Sequence, residues 1–279
     1  PFWLKAGASA GRQSSGSVDR AAMFRGWVRR AIQVQMSPSR VATLTINRPP
    51  VNAFNRELMQ SLRTTLVQVQ EEASAVVLTS GVRCFCGGLD LTTFTRPRGE
   101  LLDFWGEVEE TWRTLYTYPL PTVAAVNGSS PAWGCLMALS CDHRVMTSSP
   151  RAIIGLNEAA IGVPPSRWME VMLERVVGFR EAERLLLTGR LLPAPEAHRL
   201  GMVDELCEPE AVYDIALQRA EELCRLTPPK AYAETKAKFR SWVCDLSGPE
   251  TIAAKVDAVM QEECQTAVKA QLERLKQKR

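Results

Sequence analysis

Residues 122–146 read TVAAV-NGSS-PAWGCLMALSC-DHRVM. The first block, residues 122–126, is a short apolar run of β-branched and small side chains, which suits a buried strand. The second is turn chemistry. Residues 131–141 read as a helix, and residues 143–146 as another strand. Strand, turn, helix and strand in succession argue for an α/β fold.

The same alternation extends in both directions. Ile32-Gln33-Val34-Gln35 alternates, Ser37-Pro38-Ser39 turns, and residues 41–46 alternate again, which is a hairpin pattern. Arg48-Pro49-Pro50 breaks it. Leu58, Leu62 and Leu66 lie four residues apart and predict a helix over 56–70. Ala75-Val76-Val77-Leu78 reads as a buried strand. An amphipathic helix over 101–116 ends at Tyr118-Pro119-Leu120-Pro121, because proline lacks the donor a helix needs. Ile153-Ile154 is a further candidate strand. After Ser166 the pattern is almost only helix: 166–177, 180–187, 195–200, 210–226, 228–242, and one running from about 249 to 276. The last has a weak apolar stripe and needs another surface, from this chain or a neighbouring subunit.

At 46% apolar and 23% charged residues, the 279-residue chain has the composition of a soluble globular protein. No apolar run approaches the ~20 residues of a membrane span. A net charge of +3, with Lys and Arg spread along the chain, gives no reason to expect nucleic acid as a partner. The eight cysteines form neither a zinc nor a disulfide pattern. Cys84 and Cys86 are one residue apart, no CxxC pair occurs, and His143 and His198 lie far from any cysteine pair. No metal site is expected, and the thiols read as reduced, in a non-secretory compartment. Residues 1–30 are basic, Ser-rich and nearly free of acids. They read as an organelle transit peptide or as a disordered or added tail, with both readings open.

Three stretches together carry a family resemblance. They are Cys84-Phe85-Cys86-Gly87-Gly88-Leu89-Asp90-Leu91; Asn127 through Trp133-Gly134-Cys135 to Cys141-Asp142; and Ile154-Gly155-Leu156-Asn157-Glu158 with Ile161-Gly162. Ala182-Glu183-Arg184, Leu187-Thr188-Gly189 and Leu200-Gly201-Met202-Val203-Asp204-Glu205 follow in order. The set, from Ile32 to the C-terminus, resembles the crotonase (enoyl-CoA hydratase/isomerase) superfamily, and within it the mitochondrial Δ3,Δ2-enoyl-CoA isomerases. The resemblance implies a crotonase-like spiral of ββα units over 31–205, a helical C-terminal oligomerisation region over 206–279, and a homotrimer. It implies an acyl-CoA substrate, with coenzyme A part of the substrate rather than a cofactor. It also implies a role in oxidation of unsaturated fatty acids in the mitochondrial matrix. The C-terminal Lys276-Gln277-Lys278-Arg279 is not a peroxisomal Ser-Lys-Leu signal.

The chemistry has its own physical logic. Removing a proton beside a thioester carbonyl requires the oxygen to be stabilised as it becomes an enolate, and two converging backbone N–H groups do this. Gly87-Gly88 is a turn that allows close backbone approach. Trp133-Gly134 opens a helix, where unpaired N–H groups and the dipole favour negative charge. The resemblance assigns the two donors to the N–H groups of Leu89 and Trp133, although Trp133 replaces the glycine common in the family. It assigns the base to Glu158, whose apolar flanks would raise its pKa. Gly87, Gly88, Leu89, Asp90, Leu91 and Asn157 are the expected substrate contacts. Asn157 would orient Glu158, touch ligand or simply make a turn. The family's hydratases use two glutamates, and the first would fall at Leu136, which cannot transfer a proton. One carboxylate suits a 1,3-proton shuttle better than hydration, and needs no metal or redox cofactor.

The remaining polar residues are expected to be structural. Asp90 and Asp142 read as caps or salt-bridge partners, and His143 as a strand residue. Lys236, Lys238 and Arg240 either reach CoA phosphates or form a solvated helix face. A hydratase of the same family, and a catalytically silent binding protein of the same fold, are the competing readings.

Overall fold

The repeated strand and helix patterns fold as alternating elements. The computed structural model describes residues 31–277, so the transit-peptide reading of residues 1–30 lies outside the described residues. In chain order the strands and α-helices are β1 (Ile32–Met36), β2 (Val41–Ile46), α1 (Arg56–Val69), β3 (Ala75–Ser80), α2 (Arg98–Tyr116), β4 (Thr122–Val126), β5 (Ser130–Pro131), α3 (Trp133–Ser140), β6 (His143–Thr147) and β7 (Ile153–Gly155). Then come α4 (Arg167–Val177), α5 (Phe179–Thr188), β8 (Leu192–Pro193), α6 (Ala194–Arg199), β9 (Glu205–Cys207), α7 (Val212–Leu226), α8 (Pro229–Cys244), α9 (Pro249–Val259) and α10 (Glu262–Gln277).

A six-stranded sheet runs in the order β1-β2-β3-β4-β6-β9. The expected hairpin is its antiparallel edge, with Ile32 opposite Ile46 and Met36 opposite Ala42. The remaining neighbours are parallel. Parallel partners need a crossover, which α1, α2 and α3 supply between β2, β3, β4 and β6. Asn55 starts α1 by accepting the Leu58 N–H at 3.0 Å, a cap worth about 1 kcal/mol.

Both faces of the sheet are covered, which is why β3 reads as an uninterrupted apolar run. Val76 and Leu78 face the main core with Leu44, Leu62 and Leu66. Ala75 and Val77 face the other way, with Val123, Val145 and the Val212, Ala216 and Ala220 stripe of α7. The first helix of the C-terminal region thus packs on the sheet of its own chain.

Three details differ from the sequence reading. The region after Ser166 is not purely helical, since β8 and β9 lie within it. The predicted helix over 249–276 is two helices, α9 and α10, parted at Met260 and Gln261. Likewise, the helix expected from residue 131 starts at Trp133, because Ser130 and Pro131 form β5.

Candidate active site

A second, three-stranded sheet, β5-β7-β8, sets the register of the site. β5 runs parallel to β7 with Ser130 opposite Ile154 and Pro131 opposite Gly155. The pairing continues one step further, where the Ala132 N–H donates to the Gly155 carbonyl at 2.8 Å. The two chains therefore leave this sheet side by side. One enters α3 at Trp133, and the other enters a 3-10 turn, Glu158–Ile161.

The third segment docks through Phe54. Its N–H donates to Gly88 O at 2.9 Å, and its carbonyl accepts from the Asp90 N–H at 2.8 Å. This parallel bridge leaves the intervening Leu89 N–H with no protein acceptor among the described residues. The Trp133 N–H also lacks one, as expected of a first-turn helical donor. The two segments touch. A Cβ built on Gly88, whose φ is +99°, would lie 3.5 Å from the Ala132 Cβ. One built on Gly134 would lie 2.7 Å from the Cys86 carbonyl oxygen. Two unpaired backbone donors on adjoining segments are the arrangement that stabilising an oxyanion requires.

Trp133 is accommodated without torsional conflict of its own. It is not among the non-glycine residues at positive φ, whereas Ala132 before it is, at φ 51° and ψ −117°. The turn into the helix thus stores its strain at Ala132, on the order of 1–3 kcal/mol. The Trp133 indole is 2% exposed and tilts against Phe54, ring centroids 6.0 Å apart. Its Nε1 has no acceptor among the described residues.

Glu158 is 9% exposed, and its Oε2 has no partner among the described residues. Its carbonyl accepts the Val163 N–H at 3.0 Å, which closes the turn. Burial pushes its pKa up, opposed by a hydrogen bond from its own backbone and by the positive charge of Lys255. The Cys135 thiol, in α3, is pushed up first by burial and then by the Glu158 charge. Leu136 is buried beside Cys135 and Met137, and no titratable side chain stands at that position.

The other expected contacts divide. Gly87 is exposed and spends its N–H on the Val51 carbonyl at 2.7 Å. Asp90 pairs with Arg48 at 3.1 Å and caps the turn at Thr92, the structural role expected of it. Leu91 begins the 3-10 turn Leu91–Thr95. Asn157 makes no side-chain hydrogen bond to Glu158. Its carbonyl accepts the Ala160 N–H at 3.1 Å, a turn role.

The basic run in α8 is neither a phosphate cradle nor a solvated face at two of its three positions. Buried Lys236 and half-buried Arg240 converge on Asp142, at 2.6 and 2.8 Å, while Lys238 is exposed. His143 bonds Glu205 at 2.7 Å, a structural role.

Two residues had no sequence signal. Buried Asn52, at φ +52°, donates to Ile46 O, to the Ser80 hydroxyl and to Phe85 O. It thereby ties the ends of β2 and β3 to the Gly87-Gly88 segment. The other is Lys255 in α9, which reads as an ordinary surface lysine yet is 5% exposed.

The fold agrees with comparisons to known proteins. A family model described as enoyl-CoA hydratase/isomerase matches residues 37–279. The human protein named enoyl-CoA delta isomerase 1, mitochondrial, is 34% identical over 290 residues, covering 99% of this chain and 95% of the relative. A putative enoyl-CoA hydratase of Thermus thermophilus is 36% identical over 208 residues, covering 70% and 79%. The crystal structure of human mitochondrial delta3-delta2-enoyl-CoA isomerase superposes with a TM-score of 0.87 at 32% identity, covering 90% of this chain and all of that one. The α/β fold with a helical C-terminal region is the one expected from the sequence.

Proposed function

The chain belongs to the enoyl-CoA hydratase/isomerase family, and from that premise we propose that it is a Δ3,Δ2-enoyl-CoA isomerase. The substrate is a 3-enoyl-CoA thioester. Its carbonyl oxygen is held by the N–H groups of Leu89 and Trp133, with Gly87, Gly88, Asp90, Leu91 and Asn157 framing the thioester. Glu158 takes a proton from C2, and the electron pair delocalises into a dienolate whose oxyanion the two N–H groups stabilise. Glu158 then returns the proton at C4, giving the 2-trans-enoyl-CoA. The carboxylate ends as it began, and no water is added.

The observation that carries this reading is the pairing of Glu158 with Leu136. Glu158 is a buried carboxylate with a free oxygen and a raised pKa, the tuning a general base near neutrality needs. Leu136 offers no second carboxylate to hold and split water. Relatives named as delta isomerases support the same choice.

The test supplies the protein separately with 3-enoyl-CoA and 2-enoyl-CoA and identifies the products. Conversion of the first to 2-enoyl-CoA, without 3-hydroxyacyl-CoA from the second, is expected. Glu158→Gln keeps the shape but removes the base, and should lower turnover by ~10²–10⁴-fold with little change in acyl-CoA binding. Near-normal isomerase activity in folded Glu158→Gln would end this mechanism, and hydration of 2-enoyl-CoA would favour the hydratase reading.

The proposal includes assembly and place. A homotrimer is supported by apolar side chains left exposed on the helices, among them Phe179, Leu226, Phe239 and Trp242. Sedimentation showing only monomer at micromolar concentration would count against it. Residence in the mitochondrial matrix is supported by the basic N-terminal thirty residues and by relatives named as mitochondrial. Import that survives deletion of those residues would remove the transit-peptide reading.

A further inference from the structure

A buried ammonium needs an explanation, because moving it out of water costs several kcal/mol unless a counter-charge and hydrogen bonds compensate. Lys255 in α9 is such a group. Its side chain is 5% exposed, its Nζ donates to the Pro164 carbonyl, and it lies 5.4 Å from the centroid of the Trp105 ring. No carboxylate is within salt-bridge distance of it among the described residues. A carbonyl and an aromatic face satisfy only part of a cation's demand.

The loop that this lysine holds closes the Glu158 turn of the candidate site. Of the charged groups acting on Lys255, Glu158 is foremost among those that favour its charge, followed by Cys264, Glu109 and Glu170. Conversely, the positive charge of Lys255 favours the ionised form of Glu158 against its burial. The backbone links the two as well. Pro164, which Lys255 holds, directly follows Val163, whose N–H closes the Glu158 turn at 3.0 Å. α10 braces the same turn, since a Cβ on Gly162 would lie 3.2 Å from the Cys264 Cα.

We propose that Lys255 is a positioning residue for Glu158: it supplies the counter-charge of the buried carboxylate and anchors the loop that closes its turn. This rests on Glu158 being the base of the proposed isomerase. Lys255 touches no reacting atom in this scheme. It acts through Glu158, lowering the cost of holding that carboxylate ionised in an apolar interior.

The surroundings set the expected pH behaviour. The buried titratable side chains that bear on this pair are Cys135 of α3, Glu109 of α2 and Cys264 of α10, whereas Glu170 of α4 is half-exposed and paired with Arg167. The buried thiol of Cys135 is pushed further up and stays neutral at physiological pH. Glu109 is held up by burial, although it accepts from the Trp168 indole at 3.3 Å. Burial brings Lys255 down to about 8, so it is cationic at neutral pH. Removing that cation makes Glu158 harder to ionise, and the acidic limb of kcat/KM moves to higher pH.

The test is the pH profile of kcat/KM for 3-enoyl-CoA with the full-length protein and with Lys255→Met and Lys255→Arg. Lys255→Met should move the acidic limb up by about one pH unit, the effect of one nearby opposite charge. Activity below the limb should fall about tenfold and return as pH is raised. Lys255→Arg should restore the limb towards its original place, because it keeps the charge. An unshifted limb in a folded Lys255→Met variant would overturn the proposal, as would an equal loss at every pH that Lys255→Arg does not rescue.

A second measurement covers the case in which Lys255→Met does not fold. Coupling is reciprocal, so neutralising Glu158 by Glu158→Gln should lower the titration midpoint of the Lys255 amine, followed by NMR of its side chain. An unmoved midpoint would overturn the proposal. Retained isomerase activity in Glu158→Gln would instead overturn the proposed base itself, so the two failures are distinguishable.

Discussion

Gly134 sits where two backbone segments meet, and the proposed oxyanion hole depends on that meeting. A Cβ there would be 2.7 Å from the Cys86 carbonyl oxygen and 2.8 Å from the Ser130 hydroxyl. The first neighbour is backbone and cannot rotate aside. Gly134→Ala must therefore lift the start of α3 away from the Cys86–Leu89 segment. Overpacking of this kind costs about 1–3 kcal/mol in stability. The larger effect falls on turnover. The Trp133 and Leu89 N–H groups lie on the two segments being separated, and loss of one oxyanion donor typically costs ~10²–10³-fold in kcat. Steady-state kinetics with thermal denaturation should show a modest fall in Tm beside a large fall in kcat, with KM changing less. An active Gly134→Ala variant would mean that these two segments do not together hold the thioester oxygen.

At the scale of elements, α8 joins the C-terminal helices to the core through charge. Asp142, just before β6, accepts from the Thr122 N–H at 2.8 Å and from Lys236 and Arg240 of α8. Lys236 also donates to the Tyr118 and Leu120 carbonyls, and Arg240 to the carbonyls of Tyr116 and Ser140. The latter two end α2 and α3, where unpaired carbonyls favour a cation. Asp142→Ala would leave two cations without their anion in a largely buried site, at a cost of about 3–5 kcal/mol. Denaturant unfolding should show that loss, while disrupting the exposed Lys230–Glu234 pair should cost under about 1 kcal/mol. Equal small losses at both places would mean that the array is effectively solvated. The same elements show what the sequence made legible. β3 and β4 were readable because burial on both faces leaves apolar runs, β2 because it alternates after a hairpin turn, and α1 because its leucines keep the helical period. β8 and β9 span two and three residues, too short to display any period. The break between α9 and α10 carries neither proline nor glycine. Lys236, Arg240 and Lys255 look alike in sequence to any solvated lysine or arginine, and only partners distant in the chain bury them. The positions of Glu158, Leu89 and Trp133 were legible through family resemblance, since each alone resembles an ordinary turn or helix start.

Across the whole molecule, the candidate site is assembled from segments far apart in sequence and closed by the end of the chain. α10 covers the Glu158 turn. Its Cys264 and Val268 are fully buried, and Gln265 donates to the Phe94 and Val259 carbonyls at 3.0 and 2.8 Å. Phe94 in turn packs edge-on to Trp105 and Phe104, with centroids 5.9 and 6.5 Å away. This cluster lies beneath Lys255, which sits over the Trp105 ring. A chain ending at Gln261 would lose the burial of Cys264 and Val268, about 1.5–3 kcal/mol for a fully buried aliphatic side chain. The six-stranded sheet and its covering helix α7 make their contacts without α10, so far-UV circular dichroism should stay close to that of the full chain, with a lower Tm. The proposed isomerase activity should fall much further. Water reaching Glu158 would relieve the desolvation that raises its pKa, leaving a weaker base, and the turn would lose its brace. A decline on the order of 10²-fold is the scale of a mispositioned catalytic group. Sedimentation of the shortened chain must accompany the assay, because lost assembly would also lower activity. If the shortened chain keeps the assembly state and the full turnover, α10 is dispensable to the site, and closure of the Glu158 turn rests on Lys255 and the Val163 hydrogen bond alone.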